Sequence, residues 1–518
     1  MTRRASAALS ALAALALACG EDRPAPARSC AFLGLEPFAT CAASPAPPPV
    51  HSAGARLLFR PEAFAAGGLE VALAEGERAA VFLLNAGGRD GAAARVEARN
   101  LPEPSAGVAR QPIAAAPLPL PPGDAGVLEA TRTLGPLLAR SAPTLRQGIT
   151  ATAAPLARTS FCVLATKSYT ESARRSGRLA AEGEHVLVYV DDSPVADVSA
   201  AEAARLASAF DARIHPALTA LLGPPSDVDA NGKLVVFVTE LPQLWGYYWA
   251  SDAVLPRDLS AGCDGTRSNA ADAVYLALPS AVTRLGYTRE QALEELLPGV
   301  LAHEYAHLLS FQRRCLARTC VGADDTWIEE GIAKLAEDEA GYGWNLSRDG
   351  GVAYLTRTRE DTFRGYDGRS LTRWEGDSVG NYEGAHAFLR FHADRLGPDL
   401  VAALTSGATG IANVERALGM PFPEALADVA TALLFSNTGA AEETWDFTGA
   451  GWTPLGEKLR LLDAVPLGEA RPAAATLRSD GWNAFLTGPA GAGGGAVRVI
   501  SGEAVKPWVA VVRFRGEL

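Results

Sequence analysis

His303-Glu304-Tyr305-Ala306-His307 constrains this 518-residue chain more than any other stretch. Two imidazoles four residues apart on a helix project from one face and stand close enough to meet a single tetrahedral metal ion. Glu304, beside the first of them, can then reach a water at that metal as its base. The flanking residues favour the helix. Leu293, Leu296, Leu297, Val300, Leu301, Leu308 and Leu309 recur at helical spacing, and Thr288-Arg289-Glu290-Gln291 has the form of a capping box. Pro298-Gly299 interrupts the pattern, so either the helix kinks there or a new one starts with Pro298 in its first turn. Only 7 His occur in the whole chain, which makes chance a poor account of the pair.

A catalytic metal with an open position needs a third protein ligand. The extended histidine pattern of the metzincins is excluded, because Ser310 stands where it needs Gly and Arg313 where it needs His. A carboxylate fits better. Thr326 to Glu337 (TWIEEGIAKLAE) is again helical in period and carries Glu329, Glu330 and Glu337. One helix supplying two His and the next supplying one Glu would close the site.

HExxH followed by W-x-x-E-G-x-A-x-x-x-E is the pattern of the gluzincin metallopeptidases. More closely, HEYAHLLSF, TWIEEGIAKLAEDEAGYG, GPPSDVDANGKLVVFVTE and the Tyr-Trp after it resemble the hyicolysin family of neutral zinc metallopeptidases, over roughly residues 160 to 400. A strand, helix and strand layout followed by mainly helical sequence indicates an α+β domain. The resemblance makes it a gluzincin-type zinc peptidase domain with a β-sheet edge and active-site helices. Short runs with frequent turn signals on either side are expected to form small flanking β domains. The resemblance implies zinc held by His303, His307 and Glu330, with Glu329 in a variable slot. Glu304 would be the catalytic base, and Glu337 would orient a zinc-binding histidine from behind. Gluzincins often take an oxyanion donor from a later helix. Tyr382 in Asn381-Tyr382-Glu383-Gly384-Ala385-His386 is the candidate, ahead of His386.

Two further expectations attach to this domain. Asp227, Asp229 and Asn231 copy the first half of a calcium loop, although Val238 stands where a bidentate Glu is needed. Calcium there competes with a tight polar turn before a strand. The strand Ala273–Leu278 is expected at a sheet edge, where a peptide substrate could pair.

The N-terminus reads as an address. Arg3 and Arg4 precede an apolar stretch, Ala5 to Ala18, and Cys19 follows Ala-Leu-Ala, which resembles the lipobox of bacterial lipoproteins. Export is expected, with Cys19 lipidated and the protein held at an outer membrane or cell surface, or otherwise secreted. Six further cysteines suit an oxidising compartment. They allow fifteen pairings, of which proximity favours Cys30–Cys41, Cys315–Cys320 and, by remainder, Cys162–Cys263. The expected organisation is a signal over 1–18, a Pro/Ala-rich tether over 19–50, an N-terminal β domain over 51–155, the peptidase domain over 156–448 and a C-terminal β domain over 449–518.

The expected partner is a peptide or protein substrate, with membrane contact only through the N-terminal lipid. A net charge of −12 without a basic cluster argues against nucleic acid. The alternative to an endopeptidase is a surface-binding or adhesin-like lipoprotein with a vestigial peptidase domain. Intact Glu304 and an intact ligand set argue against it.

Overall fold

The computed structural model describes residues 56–64, 68–86, 90–102, 104, 127, 160–166, 171–254, 263, 268–316, 322–343, 370–374, 379–435, 464–470, 472–501 and 506–516. The expected signal, Cys19, the tether, and Cys30, Cys41 and Cys320 lie outside the described residues.

A six-stranded mixed sheet organises the middle of the chain. It comprises β5 (Ser160–Leu164), β6 (Ser172–Glu182), β7 (Val186–Asp191), β8 (Leu234–Thr239), β9 (Gly246–Tyr248) and β10 (Ala273–Ala277), in the order β5-β6-β7-β8-β10-β9. β7, β8 and β10 run parallel to one another, whereas β9 is antiparallel to β10. These three strands are buried along their whole length because both faces are covered. Val188, Val236 and Val274 face the helices, while Tyr189, Phe237 and Tyr275 face a second core with Phe161. That double burial is why they read as unbroken apolar runs without alternation. The strand expected at the edge, β10, is therefore internal. The short β9 covers it and takes the edge position.

Between β7 and β8 run α1 (Ala200–Ala209) and α2 (His215–Leu222), joined by a π-helical turn over Phe210–Ile214. Ser199 caps α1 through a reciprocal capping box with Glu202, and Gly223, at φ +91°, ends α2 in a conformation that residues with a Cβ avoid. The helices that carry the chemistry follow. Thr288 forms the expected capping box with Gln291. A π-helical turn over Ala292–Leu296 then leads into α3 (Leu297–Cys315), with Pro298 in its first turn. The interruption is thus a change of helical register at the proline, where a missing N–H costs least. α4 (Thr326–Glu339) packs on α3, α5 (Val379–Leu396) packs on α4, and α6 (Phe422–Phe435) closes the domain. Among the described residues no single helix is long and apolar enough to cross a membrane.

The two flanking β regions, expected as separate units, interleave in one sandwich. Its N-terminal strands are β1 (Arg56–Phe59), β2 (Leu69–Leu73), β3 (Arg78–Asn85) and β4 (Ala92–Arg99). Its C-terminal strands are β11 (Val465–Leu467), β12 (Ala473–Leu477), β13 (Gly481–Thr487), β14 (Gly495–Ile500) and β15 (Trp508–Phe514). One sheet has the order β1-β15-β3-β13-β11 and the other β12-β4-β14-β2. β3 pairs with β13 and β15 on its two sides. The reason is physical: β3 is apolar on both faces and needs strands on either side and layers above and below, which four N-terminal strands alone cannot supply. Val81 and Leu83 fill the sandwich core, whereas Ala80, Phe82 and Leu84 face the core shared with the helices. The buried pair Arg56–Asp428, at 2.6 Å, ties β1 to α6.

The disulfide Cys162–Cys263 joins β5 to a segment 101 residues later. Asn269 reinforces this corner by bonding both the amide and the carbonyl of Cys162, at 2.8 and 2.9 Å. Cys315 is also disulfide-bonded.

Candidate metal centre

α3 presents His303 and His307 on the face that meets α4, with their ring centroids 4.8 Å apart. Tyr305, two residues from each, points the other way. Its hydroxyl lies 3.1 Å from His215 Nδ1 on α2, and burial pushes its pKa up. From α4 comes Glu330, which is completely buried. Glu330 Oε2 lies 3.0 Å from His303 Nε2 and 3.6 Å from His307 Nε2. Ligands about 2.0–2.1 Å from one tetrahedral zinc stand about 3.3 Å from each other, so these separations straddle the required edge. One ligating atom from each of the three residues lies within 4.8 Å of the other two.

The residues fit a metal for a second reason. Glu330 Oε1 is buried and has no hydrogen-bond partner among the described residues. A carboxylate oxygen left without a donor inside protein costs about 1–3 kcal/mol, more when charged, and a cation at this point would offset it.

Glu329, the neighbouring carboxylate, is turned elsewhere. It accepts from Ser310 Oγ and from the Asp324 amide, each at 2.8 Å, and stands 3.9 Å from Arg314. Burial, then the charge of Glu329, pushes Asp324 up to about 6. Glu329 therefore serves the loop before α4, and the geometry selects Glu330 for the His pair. Gly331, next in the chain, lets α4 lie against α5. A Cβ there would come within 2.7 Å of Leu389 Cδ1 and 3.1 Å of the Ala385 carbonyl.

Glu337 stands behind His303. Its Oε1 is 2.9 Å from His303 Nδ1, so Nδ1 is engaged on the side away from Glu330 and Nε2 is left to face it. Such a partner fixes both the tautomer and the ring orientation of a ligating histidine. Glu304 is buried on the sheet side of α3, against β9. A Cβ on Gly246 would stand 3.1 Å from Glu304 Cγ and 2.5 Å from Val300 Cγ1, so a glycine is required where the edge strand crosses α3. Tyr382, near the start of α5, lies with its ring centroid 6.4 Å from that of His303, and Trp374 packs on its other side. The structure thus gathers His303, Glu304, His307, Glu330, Glu337 and Tyr382 into one region. His386 is not part of it. Its Nε2 pairs with Asp338 at 2.7 Å; burial alone would lower its pKa, but Asp338 and then Glu383 outweigh it, and the net shift is upward.

The loop expected to hold calcium is arranged differently. Asn231 Oδ1 accepts from the Lys233 amide at 2.6 Å, and Asn231 Nδ2 donates to Asp229 Oδ2 at 2.9 Å. Asp227 Oδ1 accepts from the Gly232 amide at 2.9 Å. The third acidic side chain to converge with Asp227 and Asp229 is Asp272. Burial, then the charge of Asp229, raises the Asp272 carboxyl to about 7. The sequence pattern misses Asp272 because it enters from the start of β10, well beyond the loop itself. No calcium assignment is supported.

Sequence reasoning also misses Lys334 and Glu383. Lys334 follows Glu330 by four residues and precedes Glu337 by three, so the helical period alone could have drawn attention to it.

Two buried histidines and a glutamate from adjacent helices, with an acid beside the first histidine, form a donor set that fits one tetrahedral metal ion. No family model matches the chain. It is similar to the neutral metalloprotease ShpI of Staphylococcus hyicus, with 26% identity over 234 residues, 43% of this chain. The chain matches about half the length (48%) of that curated relative. A likeness this distant, over less than half of each chain, supports a metallopeptidase family at most and no particular subfamily. The Cys162–Cys263 disulfide is consistent with an oxidising, extracytoplasmic compartment.

Proposed function

We propose that this protein is a zinc-dependent endopeptidase of hyicolysin-like type, exported and anchored by a lipid on Cys19. The observation that carries the reading is the convergence of His303 Nε2 and His307 Nε2 on Glu330 Oε2, both within 3.6 Å of it, with an acid beside the first histidine. A zinc ion held by these three side chains would lower the pKa of a water and polarise the scissile carbonyl.

The remaining roles belong to the chain. Glu304 accepts a proton as the attack on the carbonyl proceeds and returns it to the departing amine. Glu337 keeps the Nδ1 proton of His303 in place throughout. Tyr382 donates from α5 to the oxygen on which charge develops. The edge of the central sheet at β9, which passes directly against Glu304, offers backbone groups for an extended peptide. Burial of these groups strengthens each electrostatic contact.

Hydrolysis of an internally quenched peptide library is the test. Wild-type protein should cleave within chains, and Glu304→Gln should lose about 10²–10⁴-fold in kcat while still binding zinc. Near-normal turnover by Glu304→Gln would remove that residue from the reaction. Zinc binding by the wild type with no hydrolysis would favour a binding lipoprotein.

A further inference from the structure

Lys334 is a buried lysine, a residue type rarely found inside proteins without ionic partners. It sits on α4, one turn from Glu330 and just under one from Glu337. Its Nζ is 2.8 Å from Glu337 Oε2 and 3.7 Å from Glu383 Oε1 of α5. Glu337 therefore divides its two oxygens: Oε1 meets His303 Nδ1 at 2.9 Å and Oε2 meets the ammonium. Glu383 in turn approaches His386, at 3.8 Å, and His386 pairs with Asp338, which also meets Arg390. A continuous row of buried ionic contacts thus runs from the metal-facing histidine of α3, through α4, into α5.

We propose that Lys334 is a positioning residue for the metal: by bridging Glu337 and Glu383 it locks the carboxylate that orients His303. The inference rests on the zinc site proposed above and extends it outward by one layer. The physical argument concerns geometry and entropy. A carboxylate held at one oxygen only can rotate about its terminal torsion and lose its line to Nδ1. Held at both, it presents Oε1 in one place, and His303 Nε2 is aimed accordingly. Groups that orient ligating side chains typically govern metal affinity by about 10–100-fold. A lysine present only to balance two buried negative charges would influence folding without tuning the metal.

Zinc affinity, measured by chelator competition on the full chain, separates these possibilities. Lys334→Met should weaken zinc about 10-fold or more. Glu337→Gln should weaken it similarly, and the double variant should bind no worse than Glu337→Gln alone, because both changes remove one clamp. Lys334→Gln combined with Glu383→Gln keeps the buried charge balance and serves where Lys334→Met does not accumulate folded. It too should bind zinc about 10-fold more weakly, with an apo melting temperature near that of the wild type. Unchanged zinc affinity in the Lys334 variants, or losses that multiply in the double variant, would overturn the proposal and leave the site itself intact. Failure of the wild type to bind zinc would overturn the site reading and this proposal together.

Discussion

Two regions of the molecule each bring three ligating side chains within 4.8 Å, one between α3 and α4 and one at the loop before β8. They differ in what else the donors touch. In the loop, backbone amides of Gly232 and Val228 and the side chains of Asn231 and Gln312 already donate to the carboxylates. Between the helices, the outer partners engage the far side of the donors: Glu337 takes His303 Nδ1, and Lys334 takes Glu337. The inner atoms then face one another, and Glu330 Oε1 has no donor among the described residues. Clustered acids alone do not make a centre. Support from behind His303 leaves its front nitrogen facing Glu330.

Glu329 and Glu330 give the sharpest contrast within a single turn of helix. Glu329→Ala removes the acceptor for two buried donors, Ser310 Oγ and the Asp324 amide, at about 1–3 kcal/mol each. It should lower stability by about 3 kcal/mol in denaturant titration and leave zinc content unchanged. Loss of zinc in that variant would move the ligand by one residue. Tyr382→Phe probes the edge of the centre. It should reduce kcat by about 10²-fold or more, with zinc affinity and the melting temperature preserved, as for loss of one oxyanion donor. Unchanged kcat would make Tyr382 a packing residue between His303 and Trp374.

The acidic loop supplies the smallest effect. Asp272 is raised from 3.8 to about 7 by burial and by Asp229, so its ionisation opposes folding. Its contribution to stability is fully present below about pH 4 and is lost as pH rises through about 7. Melting curves in chelator should show this decline for the wild type and a flatter profile for Asp272→Asn. Equal slopes would mean that the Asp272 carboxyl is not under the strain its burial implies.

Much of the centre can be read from the chain because helical period is local. The spacing of His303 and His307, the caps at Ser199 and Thr288, and the apolar runs of β7 and β8 all depend on neighbours a few residues away. The features that mislead depend on distant pairing. β10 looks like any apolar strand, and only the antiparallel return of Gly246–Tyr248 shows that it is internal. The N- and C-terminal β regions each look like a small domain, yet β3 finds its partners at the far end of the chain, in β13 and β15. Asp272 and Glu383 are invisible for the same reason: nothing in a short window says which helix or strand will lie against them. The pairing Cys162–Cys263 follows only by remainder, with no geometric signal in the sequence.

Metal analysis of dialysed wild-type and Glu330→Ala protein tests the central claim most directly. One zinc per chain in the wild type and almost none in Glu330→Ala is the predicted result. Zinc retained at full occupancy without the Glu330 carboxylate, or never present at all, would contradict it.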